Sequence, residues 1–127
     1  MSDMKFTKTH EWVRLEDDNT VTIGITDHAQ HALGDMVYVE LPDVGSMLTT
    51  GKECAVVESV KSASDIYAPL GGEVIATNDD VAASPDLINN DPEEEGWLFK
   101  IRPSDPKAID ELMDNTAYEA YLAETAH

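Results

Sequence analysis

Lys61 stands between two short segments that have the pattern of β-strands. The first segment, Glu53–Val60, alternates two sets of side chains, and the second, Ile66–Ala68, ends at Pro69. The chain must reverse near Lys61, which would place the lysine amine in water at the tip of a hairpin. Because the sequence has only 8 lysines and arginines against 26 acidic residues, an amine displayed in this way indicates a covalent attachment point.

Turn chemistry permits this hairpin without demanding it. Two-residue hairpins favour Asn-Gly or Asp-Gly, and the segment Val60-Lys61-Ser62-Ala63 contains neither. A type I turn tolerates these residues. Two other interpretations of the lysine are a plain solvated charge and a Schiff-base nucleophile. The second would need a pKa lowered by burial or by cationic neighbours, whereas Glu58 and Asp65 would raise it.

The remaining reactive side chains predict no catalytic or metal site. His10 and Glu11 could do acid–base or metal chemistry, and His28 and His31 are three residues apart in a predicted helix. Further ligands at a fitting spacing do not accompany them, so ordinary polar residues are the favoured interpretation. No phosphate-binding loop, dinucleotide-binding turn or Ser–His–Asp arrangement stands out. We therefore expect a chain that is not an enzyme by itself.

Length and composition predict one folded domain, residues 1–127. Hydrophobic residues make up 42% and charged residues 27%, as in ordinary globular proteins. The single cysteine, Cys54, cannot form an internal disulfide, which indicates a reducing compartment. It lies on a strand-like face, so we expect a small buried hydrophobe more than a reactive thiol.

The formal net charge of -18 argues against nucleic acid and anionic membrane surfaces as partners. It is compatible with basic docking surfaces on other proteins, or with a solvated acidic shell that has no partner. No apolar run approaches the ~20 residues that span a bilayer. The segment Met1–Lys5 has neither a secretory core nor an arginine-rich transit pattern, so the expected location is the cytoplasm.

Strands dominate the middle of the chain and helices its end. Besides the two segments that flank Lys61, alternation predicts strands at Thr20–Ile25, Met36–Leu41, Glu73–Thr77 and Leu98–Ile101. A helix is predicted to begin at Thr26-Asp27 and to end at Gly34. The stretch Asn78–Gly96 is long and polar, with Leu87-Ile88 as its strong apolar anchor.

Two helices are predicted in the tail. Ser104 and Asp105 would cap the first, with Pro106 in its first turn, and the second would follow a break at Asp114-Asn115. Tyr118, Tyr121 and Leu122 are spaced to pack from the second helix. The fold class is therefore α+β, mainly β, with a small barrel or sandwich as the architecture.

Four segments form a recognisable set: Thr9-His10-Glu11-Trp12-Val13, Gly24-Ile25-Thr26-Asp27, Leu33-Gly34-Asp35 with Val39-Glu40-Leu41-Pro42, and Glu58-Ser59-Val60-Lys61-Ser62-Ala63-Ser64-Asp65. The set extends through Asn78, Leu87-Ile88-Asn89, Asp91-Pro92 and Gly96-Trp97. With these segments the sequence resembles the H-protein family of the glycine cleavage system, which carries lipoate. The resemblance covers nearly the whole chain in the family's order.

The resemblance implies a lipoyl/biotinyl-type barrel-sandwich hybrid of two antiparallel sheets with short helices, including C-terminal ones. It implies lipoate joined by an amide to Lys61. The lipoyl arm would receive an aminomethyl group from glycine decarboxylase (P protein) and pass its carbon to tetrahydrofolate on the aminomethyltransferase (T protein). Dihydrolipoamide dehydrogenase (L protein) would reoxidise the dithiol. A lipoate ligase or a lipoyl or octanoyl transferase would attach the cofactor, and the carrier would be a monomer.

The same resemblance suggests roles for five further residues. Glu58, three residues before Lys61, and Gly72, in a turn after the next strand, would help present the lysine to the attaching enzyme. We expect Gly72 to need a positive φ. Glu11, Asp65 and Thr9 would form an acidic cleft that shelters the aminomethyl-bearing arm.

Departures from the family pattern leave the lysine motif untouched. Leu70 stands where serine is common, Asp79-Asp80 replaces glutamates, and Glu93-Glu94-Glu95 fills a loop that often holds an aromatic residue. A biotin carrier is the nearest rival, but biotinylated lysines lie between methionines, and here the neighbours are Val60 and Ser62. Imine trapping by borohydride would favour a Schiff-base enzyme, and a mass increase of one lipoyl group would favour the carrier.

Overall fold

A computed structural model describes residues 4–16 and 18–125, so the opening residues Met1–Asp3 lie outside the described part. Within the described residues the chain forms nine strands, whose bounds are β1 Met4–Phe6, β2 Glu11–Leu15, β3 Val21–Ile25, β4 Met36–Glu40, β5 Met47–Leu48, β6 Glu53–Ser59, β7 Ala63–Tyr67, β8 Gly72–Thr77 and β9 Phe99–Pro103. The short strands and frequent turns are those of an all-antiparallel architecture.

The strands form two antiparallel sheets, as predicted. The first has six strands in the order β1-β2-β3-β9-β8-β5, and the second has three in the order β4-β6-β7. In the part of the chain described, neither sheet closes into a barrel. The fold is mainly strand with a few short helices, which confirms the predicted class.

The core lies between inward-facing side chains of both sheets. β6 follows its sequence alternation, since Ala55, Val57 and Ser59 are buried while Cys54 and Val56 are half-buried. The alternation of residue types along β6 thus decides which face of the strand lies against the core. The fully buried side chains of the six-stranded sheet include Val13, Val21, Ile23, Val74, Phe99 and Ile101.

The first helix, α1 (Asp27–Leu33), forms where the caps predicted it. The Thr26 hydroxyl accepts a hydrogen bond from the Ala29 N–H, and Gly34 ends the helix with φ of 87°. A side-chain oxygen at the N-cap replaces a missing helical acceptor, and glycine tolerates the left-handed backbone that closes the last turn. α1 leads directly into β4, an edge strand of the three-stranded sheet.

Two short helices occupy the polar stretch Asn78–Gly96, for which the sequence predicts no elements. They are α2 (Asp79–Ala83) and α3 (Asp86–Asn90). The Asn78 side chain accepts from the Asp80 N–H, and each helix buries one apolar residue, Val81 or Ile88. Five-residue helices with one buried side chain show too little periodicity to be recognised in sequence.

Three strands were also missing from the sequence prediction: β1, β2 and β5. In β2 the residues Glu11, Trp12 and Val13 are buried in succession, so alternation is lost. β1 and β5 have only three and two residues. Strands this short carry almost no pattern, and their pairing partners come from the fold.

The tail packs back on the N-terminal strands. A 3-10 segment, Pro106–Glu111, replaces the first predicted helix, with Asp105 accepting from the Lys107 N–H. Helix α4 (Asn115–Thr125) follows, and its Tyr118 ring stacks on Phe6 with centroids 4.6 Å apart. Tyr121 and Leu122 also pack on this cluster, as predicted. In the residues described, no helix combines the length and apolar character that crossing a membrane requires.

Candidate functional site

Lys61 lies at the tip of the hairpin between β6 and β7. The turn is closed by a hydrogen bond of 2.8 Å from the Ser59 N–H to the Ser62 carbonyl. The Ser59 hydroxyl oxygen also accepts from the N–H groups of Lys61 and Ser62, at 3.2 and 3.1 Å. Neither Val60 nor Lys61 has a positive φ, so the tip avoids the backbone that requires Asn-Gly. The lysine therefore lies at a hairpin tip, as predicted.

The loop between α1 and β4 supports the tip from one side. The Val60 N–H donates to the Asp35 carbonyl at 3.0 Å. A Cβ added at Gly34 would lie 3.0 Å from the Lys61 Cε, so the lysine side chain runs closely over this glycine. Gly34 therefore ends α1 and leaves room for the lysine side chain.

Sequence reasoning missed the roles of Ser59 and Gly34 at the tip. A serine just before a turn favours local hydroxyl–backbone hydrogen bonds, and that signal was present in the sequence. The Gly34 contact joins residues far apart in the chain and has no local signature.

Glu58 and Asp65 lie beside the hairpin on the outer face of the three-stranded sheet. Glu58 is half-buried and opposes Tyr38 on β4 and Ala63 on β7. Asp65 is exposed and opposes Val56. Each strand of the Lys61 hairpin therefore carries one of these acids.

Glu11 is a buried carboxylate on β2, with only 1% of its surface exposed. Its Oε1 accepts from the hydroxyls of Thr7 and Thr9 at 2.6 and 2.5 Å, and its Oε2 accepts from the Tyr67 N–H at 3.4 Å. Burial raises the pKa of Glu11, and these hydrogen bonds lower it in part. The carboxyl is thus held in one position by donors from two separate segments.

Glu11 faces a cavity of about 390 Å³. Its lining comprises Thr7, Thr9, Glu11, Thr50, Gly51, Tyr67, Ala68 and Pro69. The cavity brings Glu11 and Thr9 together, as predicted, while Asp65 is not part of its lining. Asp65 and Tyr67 are two residues apart on β7, so they share a face, about 7 Å apart along the strand. Asp65 therefore lies between the hairpin tip and the cavity.

Gly72 lies at the start of β8 in the six-stranded sheet, where it opposes Leu48 and Pro103. Its φ of 158° is positive, as predicted, but Gly72 begins β8 and does not lie in a turn. The need for glycine comes from a close approach: a Cβ there would collide with the Arg102 carbonyl oxygen. Gly72 thus matters to strand pairing and is not in the Lys61 hairpin.

His10 has a structural role at the base of α4. Its Nδ1 is 2.8 Å from the Tyr118 hydroxyl, which is 2.8 Å from the Thr26 hydroxyl. Burial and the nearby His28 lower the pKa of His10. His31 instead pairs with Asp27 at 3.4 Å. Among residues 4–16 and 18–125, no three His, Cys, Asp or Glu side chains are grouped as a metal site would need.

Cys54 is half-buried, and its Sγ donates to the Ile66 carbonyl at 3.3 Å. Burial, followed by the charge of Glu11, raises the pKa of this thiol to about 12. The side chain therefore stays protonated, in keeping with the prediction of an unreactive thiol.

Comparison with known proteins places the chain in a family. The model of the family described as glycine cleavage H-protein matches residues 4–125. The glycine cleavage system H protein of Citrobacter koseri is 58% identical over 120 residues, covering 94% of this chain and 93% of the relative. That of Escherichia coli strain K12/DH10B is 54% identical over 121 residues, covering 95% and 94%.

A solved structure agrees with the fold. The crystal structure of a glycine cleavage system H protein from Mycobacterium marinum superposes with a TM-score of 0.86 at 35% sequence identity, covering 98% of each chain. The sheets, the displayed hairpin and these relatives lead to one conclusion: the chain belongs to the glycine cleavage H-protein family, the lipoyl carriers of the glycine cleavage system.

Proposed function

We propose that Lys61 is the residue to which lipoate is joined, and that the domain spanning residues 1–127 acts as a carrier without catalysing a step itself. The observation that carries this proposal is the display of Lys61 at a hairpin tip held by the Ser59 hydroxyl. Such a tip can enter another protein's active site while the sheets remain outside. Acylation of the amine removes its charge.

The partners follow from the carrier role in the glycine cleavage system. They are glycine decarboxylase (P protein), the aminomethyltransferase (T protein) and dihydrolipoamide dehydrogenase (L protein), together with the enzyme that attaches lipoate. When bound, the lipoyl group supplies a dithiol that accepts the aminomethyl group and then electrons. The carrier would work as a monomer in the cytoplasm.

Replacing the lysine tests the attachment site. Lys61→Arg keeps a positive charge at the tip, but an amine is needed to form the amide. We expect a normal melting temperature, no mass increase on incubation with lipoate ligase, lipoate and ATP, and no glycine cleavage activity. Lys52→Arg, another exposed lysine on the same chain, is the control and should be modified normally. Glycine cleavage by Lys61→Arg would refute the assignment.

The cavity at Glu11 fits a sheltering role for the arm. The lining contains the buried Glu11 carboxylate, and Tyr67, Ala68 and Pro69 supply apolar surface beside it. An aminomethyl ammonium would gain a charge partner in Glu11 and lose access to water. Thr9 orients the carboxylate, and Asp65 lines the route along β7 from the tip.

The lifetime of the loaded carrier tests this shelter. Glu11→Ala should leave lipoylation and loading intact but release the carried amine to water about tenfold faster in the absence of the transferase, about 1.4 kcal/mol. Glu53→Ala, an exposed acid on β6, is the control. Equal release rates in wild type and Glu11→Ala would show that Glu11 does not protect the arm.

Glu58 and Gly72 would help present the lysine by different routes. Glu58 lies on the strand entering the hairpin, so the attaching enzyme can contact it directly. Gly72 would act through the fold, because its close approach to Arg102 keeps β8 and β9 paired. Glu58→Gln should therefore slow lipoylation without lowering the melting temperature, whereas Gly72→Ala should lower the melting temperature.

A further inference from the structure

A β-bulge in β4 lies across from the strand that leads to Lys61. Met36 opposes Ser59 and Tyr38 opposes Glu58, so two steps on β4 correspond to one step on β6. The bulge places two consecutive apolar side chains, Val37 and Tyr38, in the solvent, where they are 56% and 49% exposed. A bulge aims side chains out of the normal alternation, and bulges are frequent next to functional sites.

Val60 adds a third exposed apolar side chain to the same place. It is 66% exposed and directly precedes Lys61, and its N–H is bonded to the Asp35 carbonyl at the entry to β4. We call Val37, Tyr38 and Val60 the tip patch. Exposed apolar side chains grouped in this way are typical of contact surfaces between proteins.

The surroundings of the tip patch are acidic. The residues of β4, β6 and β7, all of them described, include Glu40, Glu53, Glu58 and Asp65 and no lysine or arginine. Lys61 is the basic residue of the tip, and acylation removes its charge. A partner that covers the tip patch therefore needs an apolar centre with basic side chains around it.

We propose that the tip patch is the docking surface for the enzyme that acylates Lys61. This inference rests on the proposed attachment of lipoate to Lys61. In that step the amine nitrogen bonds to the acyl carbon of an activated lipoyl group, the bond to the leaving group breaks, and the leaving group keeps the electron pair. The lysine gives up its charge as its protons are lost to solvent or to the leaving group.

The distance from the hairpin backbone to the reacting atom is the reason to assign the tip patch to the acylating enzyme and not to the three enzymes that the carrier visits. Before acylation the reacting atom is the lysine Nζ itself, which extends only four methylenes from the hairpin backbone and lies close over Gly34. The acylating enzyme must therefore cover the immediate neighbours of Lys61. After acylation the reacting sulfurs lie at the end of a long arm, so the visited enzymes can work farther from the tip patch.

Kinetics of acylation test the docking surface. Apo carrier would be incubated with lipoate ligase, lipoate and ATP, and modification followed by intact mass. We expect Tyr38→Ser to lower kcat/KM about tenfold, chiefly through KM, and Val37→Ser to lower it about threefold. Tyr38→Phe keeps the apolar area and should stay within about twofold of wild type.

Two controls test whether slower acylation has a cause other than lost docking. Val44→Ser removes another exposed apolar side chain, 62% exposed, from the loop bonded to β8 of the six-stranded sheet, and should acylate like wild type. Acetylation of Lys61 by a small activated ester should be equally fast in all variants if the hairpin is intact. If Tyr38→Ser does not fold, Val37→Ser decides the question.

The outcomes separate this inference from the proposed function. Failure of wild type to gain a lipoyl group on Lys61 would refute the attachment site. Normal acylation of wild type, Val37→Ser and Tyr38→Ser alike would refute the docking surface and leave the attachment site standing. Fully lipoylated Tyr38→Ser should support glycine cleavage at the wild-type rate. A loss there as large as the loss in acylation would assign the tip patch to the visited enzymes and overturn the proposal.

Discussion

The hairpin that displays Lys61 and the β2 segment that buries Glu11 hold their charged side chains in opposite environments. Lys61 is exposed at a tip that is ordered mainly by local hydrogen bonds to Ser59, with one further bond from the Val60 N–H to the Asp35 carbonyl. Glu11 is 1% exposed and is held by hydroxyls and an N–H from separate segments. If Lys61 is the attachment site proposed above, its amine must be reached by other proteins, whereas the fold keeps the Glu11 carboxylate from water. A carrier therefore needs local order at one site and tertiary packing at the other.

A larger side chain packed against Trp12 should disturb the buried region and have the largest effect on the free energy of unfolding. Gly24 on β3 opposes Trp12, and a Cβ there would lie 2.6 Å from the indole ring. The ring is held in place because its Nε1 donates to the Pro92 carbonyl at 2.9 Å. We expect Gly24→Ala to lower the free energy of unfolding by about 1–3 kcal/mol in urea titrations.

Gly45→Ala is the control for this substitution. Gly45 has φ of 95°, and a Cβ added there would meet no atom within 4 Å, so only backbone strain is added. Its cost should be about 1 kcal/mol. If Gly24→Ala costs no more than Gly45→Ala, the packing around β2 is looser than the structure indicates.

Removing the Ser59 hydroxyl should loosen the hairpin and leave the buried region intact. Ser59→Ala deletes the acceptor for the Lys61 and Ser62 N–H groups, at a cost of about 1 kcal/mol. We expect faster hydrogen exchange at these two amides, read by NMR, and unchanged exchange at Glu11. Ser62→Ala is the control, because the turn uses the Ser62 backbone. Unchanged exchange in Ser59→Ala would mean that the hydroxyl does not order the tip.

The pH dependence of stability should distinguish the two regions further, by a smaller amount. Because burial raises the pKa of Glu11, the folded chain holds this proton more tightly than the unfolded chain. The Glu11 contribution is therefore present below the ordinary pKa and is lost as the pH rises through the raised value. The free energy of unfolding of wild type should fall relative to that of Glu11→Gln as the pH rises from about 4 into the neutral range.

Urea unfolding of both proteins across this range measures the effect. Glu53→Gln, which changes an exposed acid, should run parallel to wild type over the same range. A wild-type curve that instead rises relative to Glu11→Gln would show that the hydrogen bonds from Thr7, Thr9 and Tyr67 outweigh burial.

Salt should have the smallest effect and should act on the exposed region. The net charge of -18 favours basic surfaces on the enzymes that meet the hairpin. Their apparent affinity for the lipoylated carrier should weaken a few-fold between about 0.05 and 0.5 M salt, with less change in turnover at saturation. Free lipoamide, which lacks the acidic protein, is the control substrate for the dehydrogenase. Equal salt responses for both substrates would show that the acidic residues keep the protein soluble and do not contribute to binding.

The sequence predicted the exposed region better than the buried one, for physical reasons. The alternation in β6 and the stop at Pro69 are local, so the hairpin and the display of Lys61 could be predicted. β2 was not predicted, because Glu11 and Trp12 are buried next to each other and only pairing with β3 explains both. The bulge that exposes Val37 depends on register, which sequence alone does not show.

The half-buried Cys54 has a consequence for the stability of the cofactor itself. Exchange between a thiol and a cyclic disulfide requires the thiolate, and with a pKa of about 12 almost none of the Cys54 thiol is ionised at pH 7. The chain has one cysteine, so its own sulfur offers almost no competing nucleophile to the lipoyl disulfide.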